Sequence, residues 1–253
     1  MQINKIYCMD CLEGLKLMSD DSATITITSP PYNLEKQINT NSNIYSQYED
    51  NLSEEEYYIF IKKVITELIR VTKYYVFFNF QILSNNKSAY LKIISDFKEN
   101  IKDIIIWHKK QFTPPIQPTV LGSEFEFVFV FTKKEFAQKK SFEYAFFNNR
   151  EKGQLNGNVI YGNSASFFKT TADYNIKGQN KATFPKYFVR WFVDKFTAPG
   201  DIILDPFMGS GTTAIVAQEN GRFFIGFEIE QAQIDLSFSK LKQKTLLEVN
   251  ENE

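Results

Sequence analysis

The stretch over residues 201–230, "DIILDPFMGSGTTAIVAQENGRFFIGFEIE", constrains the fold of this 253-residue chain more than any other. "DIILD" predicts a buried strand that ends at Asp205. A turn containing Gly209 and Gly211 leads into a helix, and "RFFIGFEIE" predicts a second strand that ends at Glu228. Glycines let the backbone approach a ligand, and a carboxylate on the next strand tip can accept hydrogen bonds from two ribose hydroxyls. The pattern favours a nucleotide-type cradle in a doubly wound fold.

The residues of this turn limit the class of ligand that it can bind. No lysine follows the glycines, so a phosphate-gripping P-loop is not expected, and the spacing departs from the G-x-G-x-x-G dinucleotide fingerprint. Asp205 stands at the mouth of the turn, where a carboxylate disfavours a pyrophosphate and favours a ligand with a cationic group. The alternative interpretation is an ordinary tight turn between a strand and a helix.

The rest of the chain alternates predicted strands with predicted helices. Ser53 and Glu56 form a capping box before a helix, "YYVFFNF" predicts a strand covered on both faces, and "EFEFVFVFTK" predicts a strand with one less buried face. Residues 132–180 lack a strong period and are expected to form an irregular lobe. We therefore predict an α/β fold with a mostly parallel twisted sheet and helices on both faces.

Charge is uneven along the sequence although the formal net charge is only −1. Residues 1–56 contain ten acids and three lysines (net −7), whereas residues 102–196 contain fifteen Lys and Arg and eight acids (net +7). One part of the molecule is therefore expected to attract a polyanion. The alternative is that both segments simply present solvated faces.

The cysteines and the single histidine limit metal and redox chemistry. Cys8 and Cys11 have the spacing of a thioredoxin-type pair, which leaves a redox function open. Four ligands for a structural zinc ion are lacking, so no metal site is expected. His108 follows an apolar run and is expected to be structural. No leader peptide or long apolar run is visible, which predicts a soluble cytoplasmic protein without membrane contact.

The hexapeptide "TSPPYN" at residues 28–33 ends a predicted strand with two prolines. Neither Pro30 nor Pro31 can donate to a sheet ladder, and Ser29 is pushed into an extended conformation by the proline after it. The chain is expected to leave the sheet stiffly at its carboxyl end, where folds of this kind bind ligands. Taken alone, the segment favours an ordinary proline-rich turn over a binding site.

Together, "SPPY" and "DPFMGSGTT" resemble the motifs of the S-adenosylmethionine-dependent amino-methyltransferases of DNA. The tetrapeptide precedes the glycine loop by about 175 residues, an order that resembles the β group of this family. The resemblance spans roughly residues 3–240 and implies a Rossmann-like methyltransferase fold with permuted motif order. It divides the chain into a catalytic half (1–131), a target-recognition lobe (132–180) and a cofactor-binding half (181–253).

The resemblance implies a set of cofactor-binding residues. Asp205 and the glycine loop after it would line the methionine end of S-adenosylmethionine. Thr212 and Thr213, at the start of the next helix, would hold the carboxylate of the cofactor. Glu228 would accept hydrogen bonds from the ribose hydroxyls. Asp10 and Cys11 match a family position near the adenine, although Asp10 is equally suited to cap a helix. The implied cofactor-binding residues are Asp10, Cys11, Phe184, Pro185, Asp205, Phe207, Gly209, Gly211, Thr212, Thr213 and Glu228.

The family chemistry gives the tetrapeptide a catalytic function. The hydroxyl of Ser29 and the carbonyl of Pro30 would accept hydrogen bonds from an exocyclic amine, while Pro31 stiffens the turn and Tyr32 offers a face for stacking. The target base would have to be flipped out of double-stranded DNA. No metal and no covalent intermediate are required.

The DNA-binding surface is expected in the net-positive part of the chain. Asparagines at positions 148, 149, 156 and 158 are candidates to read base edges. Candidates for phosphate contacts are Lys109, Lys110, Lys133, Lys134, Lys139, Lys140, Arg150 and Lys152.

These observations predict a site-specific DNA methyltransferase. A serine at the first position of the tetrapeptide is typical of family members that modify cytosine N4, whereas aspartate is typical of those that modify adenine N6. Methylation of adenine N6 is the main alternative, followed by a non-catalytic nucleic-acid-binding module and by a methyltransferase for RNA or small molecules. The resemblance also allows a homodimer and a cognate restriction endonuclease as partners.

Overall fold

A computed structural model of the chain describes residues 1–33, 52–109, 119, 121–146, 157–162 and 183–250, with the side chains of the last helix described through Lys242. The strands are β1 (Lys5–Cys8), β2 (Ala23–Thr28), β3 (Thr72–Phe80), β4 (Ile101–Lys109), β5 (Phe125–Phe131), β6 (Val159–Gly162), β7 (Ile202–Asp205) and β8 (Phe223–Glu228). The α-helices are α1 (Cys11–Lys16), α2 (Glu54–Val71), α3 (Lys87–Asp96), α4 (Lys134–Ala137), α5 (Lys186–Phe196), α6 (Thr212–Glu219) and α7 (Gln231–Asn250).

The eight strands form one sheet in the order β1-β8-β7-β2-β3-β5-β4-β6. Every neighbouring pair is parallel except the two that involve β5, which runs against both β3 and β4. The prediction of a mostly parallel α/β sheet is confirmed. Within the described residues, no helix has the length and apolar composition of a membrane span.

Apolar side chains on the two faces of the sheet form two separate cores. The strand β3 contributes to both, since Phe77 packs with α5 on one face and Phe78 packs with α2 and α3 on the other. Alternate residues of a strand point to opposite faces, so a nearly continuous apolar run is what a doubly covered strand needs. The predicted capping box of α2 is present, with Ser53 and Glu56 bonded to each other's backbone amides.

Two expectations for the strands need correction. The alternation in β5 predicts one less buried face, but Val128 and Phe129 are both buried because each face of the sheet is covered. The weak periodicity of residues 132–180 predicts an irregular lobe, yet β6 lies among them and pairs with β4 as the outermost strand. The segment boundaries at 131 and 180 stay a prediction.

The site is positioned by β2 and β7, which lie side by side in the middle of the sheet. They are parallel, with Ile25 opposite Ile203 and Thr26 opposite Leu204. Because carboxyl ends of neighbouring parallel strands meet at the same edge, the segment after Thr28 and the segment after Asp205 lie next to each other there. Two motifs far apart in the sequence are thereby brought together.

Candidate active site

A cavity of about 470 Å³ opens at the carboxyl edge of the sheet and is lined by both motifs. This volume lies within the usual range for small-molecule and cofactor sites. Of the residues predicted for the site, those that line the cavity are Ser29, Pro30, Pro31, Tyr32, Asp10, Cys11, Phe184, Asp205, Phe207, Gly209, Thr212, Thr213 and Glu228. Pro185 and Gly211 lie beside it rather than in its lining.

The backbone of the "SPPYN" segment is fixed by side chains of the surrounding elements. Tyr57 Oη donates to the Pro31 carbonyl at 2.8 Å, and Asn86 Nδ2 donates to the Tyr32 carbonyl at 2.8 Å. Asn33 has a left-handed φ of 58°, and its amide group bonds the backbone of Leu52. These bonds hold the segment in one conformation, as a site that positions a reacting group requires.

Asp205 connects the two motifs through its carboxylate. Its Oδ1 accepts from Thr28 Oγ1 at 2.8 Å and from the Phe207 amide at 3.1 Å, and its Oδ2 accepts from Thr213 Oγ1 at 2.7 Å. Burial raises the pKa of Asp205 to about 6, an effect that these hydrogen bonds oppose. One buried carboxylate therefore ties the end of β2, the glycine loop and the start of α6 together.

Glu228 supports the glycine loop from the end of β8. Its Oε2 accepts from the Gly209 amide at 2.8 Å, and its Oε1 accepts from the Glu230 amide at 3.0 Å. Burial is the main cause of a raised pKa of Glu228. Each carboxylate oxygen can accept more than one hydrogen bond, so the group that shapes the loop also keeps acceptor capacity for a ligand.

Gly211 is required by the geometry of the loop. Its φ is +83°, in the left-handed region, and it occupies the N-cap position of α6. A Cβ atom there would lie 2.7 Å from both Cβ and Oγ of Ser237 on α7. The glycine therefore serves turn conformation and helix packing at once.

Asp10 and Cys11 combine capping with a place in the cavity lining. Asp10 Oδ1 accepts from the amides of Leu12 and Glu13, so the predicted cap of α1 is present. Cys11 is buried, which raises its pKa and disfavours the reactive thiolate. The redox function left open by the cysteine spacing is not supported. Within the described residues there is also no cluster of metal-ligating side chains.

Aromatic side chains close two sides of the cavity. Phe184 stacks on Phe188 with ring centroids 4.6 Å apart and meets the edge of Trp107. Phe207 contacts Phe60 edge to face at 6.2 Å. Pro185 is the N-cap of α5. Apolar rings beside a small number of polar groups are typical of a site for a flat heterocyclic ligand.

A buried polar network in the cavity was not predicted from the sequence. It joins Tyr32 to Asn79 on β3, Glu126 on β5 and Lys109 on β4. The side chains of Glu126 and Lys109 are only 9% and 12% exposed. The sequence contained one signal for this network, because Glu126 stands inside the alternating apolar strand "EFEFVFVF". A buried acid without a partner is costly, so an acid in such a strand indicates a buried polar partner. Lys109 was predicted to contact phosphate, but it lies in this ion pair.

The other lysines predicted to bind phosphate are far from the cavity or outside the described residues. Because β5 is antiparallel, the chain beyond Phe131 lies at the opposite, amino-terminal edge of the sheet. Lys133 pairs there with Asp21 and Lys139 pairs with Glu143, and Lys134 and Lys140 lie in the same region. Lys110, Arg150 and Lys152 fall outside the described residues, as do the asparagines at 148, 149 and 156. Asn158 donates to the Ile104 carbonyl.

The residues that line the cavity suit S-adenosylmethionine. Two carboxylates can face a ligand with cationic and hydroxyl groups, aromatic rings can cover an adenine, and the first turn of α6 has amide groups without intrahelical acceptors. Beside this cofactor region lies the "SPPY" segment, where no described residue donates to the Pro30 carbonyl. The arrangement can therefore hold a cofactor and present backbone and hydroxyl acceptors to a second ligand.

Comparison with known proteins gives consistent matches. A family model described as DNA methylase matches residues 23–239. The type II methyltransferase M.BglII of Bacillus subtilis is 26% identical, over 94% of this chain and 69% of its own length. M1.MboII of Moraxella bovis is also 26% identical, over 99% and 100% of the two chains.

Solved structures share the fold. The cytosine-N4-specific PvuII DNA methyltransferase superposes with a TM-score of 0.71 at 18% identity, over 92% of this chain and 84% of its own. A complex of M1.HpyAVI with S-adenosylmethionine has a TM-score of 0.57 at 19% identity, over 93% and 97% of the two chains.

Proposed function

This chain belongs to the DNA methylase family of N6 and N4 amino-methyltransferases, and from that premise we propose that it methylates the N4 amine of cytosine at a specific sequence in double-stranded DNA. The family uses S-adenosylmethionine as methyl donor. The observation that carries the proposal is that the "SPPY" segment and the glycine loop line the same cavity. A vestigial cofactor fold that only binds nucleic acid would not need this combination.

The chemistry of the reaction matches the groups presented. S-adenosylmethionine supplies a methyl group activated by a sulfonium. An exocyclic amine is a weak nucleophile because its lone pair is conjugated into the ring. Ser29 Oγ and the Pro30 carbonyl are placed to accept from its two N–H groups, which favours pyramidal nitrogen and stabilises the developing positive charge. The methyl carbon exchanges its bond to sulfur for one to nitrogen, and one amine proton leaves to solvent.

The choice of cytosine N4 over adenine N6 rests on Ser29. In this family a serine before the two prolines is typical of members that methylate cytosine N4, and an aspartate is typical of members that methylate adenine N6, although the correlation has exceptions. The same pair of acceptors could serve either amine, so the product base has to be identified directly. The relatives carry the name type II methyltransferase, which supports a place in a restriction–modification system with a cognate endonuclease acting on the same DNA.

The first test transfers a tritiated methyl group to duplex DNA and identifies the labelled nucleoside after digestion. We expect N4-methylcytosine. Label in adenine would exclude the cytosine assignment but leave the mechanism intact. If the wild-type protein labels no DNA while it binds the cofactor, the proposed function is wrong.

Ser29→Ala should slow a single turnover about 10²- to 10³-fold, because one fixed acceptor is lost from a dry site. Cofactor affinity measured by calorimetry should be unchanged, since the glycine loop is separate from this hydroxyl. Ser239→Ala, an exposed serine on α7, is the matched control and should retain wild-type rates. A covalent enzyme adduct at Ser29 would contradict the proposed mechanism.

A further inference from the structure

A chain of hydrogen bonds runs from Ser29 to the ion pair of Glu126 and Lys109. Ser29 Oγ donates to Tyr32 Oη at 2.9 Å, and Tyr32 Oη donates to Glu126 Oε2 at 3.1 Å. Asn79 Nδ2 lies 2.8 Å from Tyr32 Oη and 2.7 Å from Glu126 Oε2. Lys109 Nζ is 2.5 Å from Glu126 Oε1. Four different strands or strand ends contribute to this chain.

The chemistry of the end group fixes the direction of every bond. A carboxylate in an ion pair has no hydrogen and can only accept, so Tyr32 gives its single hydroxyl hydrogen to Glu126. Tyr32 is then an acceptor toward its other neighbours, and the hydroxyl hydrogen of Ser29 points at it. The lone pairs of Ser29 Oγ are left for the cavity.

The amide of Asn79 agrees with this direction. Both of its hydrogens are used, one toward Tyr32 and one toward Glu126. Its Oδ1 is buried and has no hydrogen-bond partner among the described residues. The flipped amide would place oxygen against the Glu126 carboxylate, which is repulsive, so the orientation follows from the network.

We propose that Glu126 is a positioning residue that makes Ser29 an acceptor toward the target amine. Glu126 acts through the hydroxyl of Tyr32, and its other carboxylate oxygen is paired with Lys109. This inference rests on the proposed function, because an acceptor at Ser29 is useful only for a ligand with N–H groups. It also assigns Tyr32 a hydrogen-bonding function besides the stacking predicted for its ring.

The test is a double-mutant cycle on single-turnover methyl transfer. Glu126→Gln introduces a donor at the same place and allows the chain of bonds to reverse, so that Ser29 can present its hydrogen to the cavity. We expect a rate loss of about 10- to 100-fold, by analogy with the loss seen when a group that orients a metal ligand is changed. In a Ser29→Ala background the same substitution should cost little, because the residue through which it acts is absent.

Tyr32→Phe provides an independent variant, since it removes the relay without altering the ion pair. It should slow the same step and show the same lack of additivity with Ser29→Ala. This variant also decides the question if Glu126→Gln does not fold. Glu124→Gln is the matched control, because Glu124 is 53% exposed, lies 3.9 Å from His108 and does not line the cavity. We expect wild-type rates for it.

The outcomes separate this inference from the proposed function. Wild-type activity of both Glu126→Gln and Tyr32→Phe would overturn the inference while leaving the proposed function intact. The inference would also be overturned if the rate loss of Glu126→Gln multiplied that of Ser29→Ala in the double variant, because Glu126 would then act through a residue other than Ser29. A wild-type protein that binds S-adenosylmethionine but labels no DNA would refute both. Cofactor affinity and thermal unfolding of each variant, measured alongside, should stay near wild type.

Discussion

At the scale of single residues, Asp205 connects the two motifs of the site at a cost in stability. It is 3% exposed and accepts three hydrogen bonds from the two motifs. An ionised carboxylate is costly to bury, and hydrogen bonds recover part of that cost. The raised pKa is the measure of the part that is not recovered, and it should be visible in the pH dependence of folding.

Substitution of Asp205 by asparagine should remove this pH dependence. Below about pH 4 the carboxyl is protonated in both states. Between about pH 4 and 6 the unfolded chain ionises while the folded chain does not, because its pKa is raised from 3.8 to about 6. Wild-type stability therefore falls with rising pH by about 3 kcal/mol, and the loss is complete above pH 6.

Urea unfolding of both proteins at several pH values checks this. The unfolding free energy of Asp205→Asn, relative to that of the wild type, should increase by about 3 kcal/mol between about pH 4 and pH 7. A difference between the two proteins that does not change with pH would mean that the carboxylate is not held at a raised pKa.

At the scale of elements, the glycine loop and α6 form a unit that α7 braces. Ser237 on α7 donates to the Gly209 carbonyl at 3.0 Å and lies where a side chain on Gly211 would be. The loop is thus held on one side by Glu228 and on the other by α7. Its conformation is set before any ligand binds, which is what a cofactor cradle needs.

Gly211→Ala should destabilise the fold by more than about 2 kcal/mol, from the left-handed φ and from the clash with Ser237. Gly200→Ala separates these causes. Gly200 has a φ of +90°, but no atom lies within 4 Å of the position that a Cβ would occupy, so it should show the conformational cost alone. In a Ser237→Gly background the cost of Gly211→Ala should shrink toward the Gly200→Ala value; an unchanged cost in urea unfolding would exclude the packing explanation.

Much of this element level was predictable from the sequence, and the part that was not has a physical reason. The elements β7, α6 and β8 have strong local signals, and the prolines mark the end of β2. Asn79 gave no such signal, and the only one for Glu126 was the presence of an acid within an apolar strand. Glu126 reaches the cavity because β5 is antiparallel and begins, rather than ends, at the ligand edge. Strand direction is decided by tertiary pairing and not by the alternation of apolar residues.

At the scale of the whole molecule, the two edges of the sheet differ in function. The cavity lies at the carboxyl edge, where β4 ends at Lys109. Lys133, Lys134, Lys139 and Lys140 lie at the amino edge. DNA that delivers a base to the cavity has to approach the carboxyl edge. These four lysines, which belong to the positive charge counted between residues 102 and 196, therefore lie away from the cavity.

The salt dependence of DNA affinity should distinguish the two surfaces. Lys110 follows Lys109 in the sequence and is predicted to contact phosphate. Lys110→Glu should therefore make the slope of log K against log salt less steep, by about the amount that one phosphate contact contributes or more. The double variant Lys139→Glu/Lys140→Glu removes more charge but should leave the slope near wild type, and it serves as the control for net charge. The reverse result, measured by fluorescence anisotropy at several salt concentrations, would place the DNA on the amino edge.

The central pairing of β2 with β7 also affects how the chain folds during its synthesis. On the ribosome, β2 has a neighbour on one side once β3 has emerged, but its other side stays open until residue 205 has been synthesised. The strand β1 likewise waits for β8. Ile25 and Ile27 are fully buried in the finished sheet. Unpaired apolar strand edges promote aggregation, and pairings distant in sequence form slowly. Nascent chains that stop before β7 therefore expose the middle of the sheet, and their yield should depend on chaperones far more than that of the full chain.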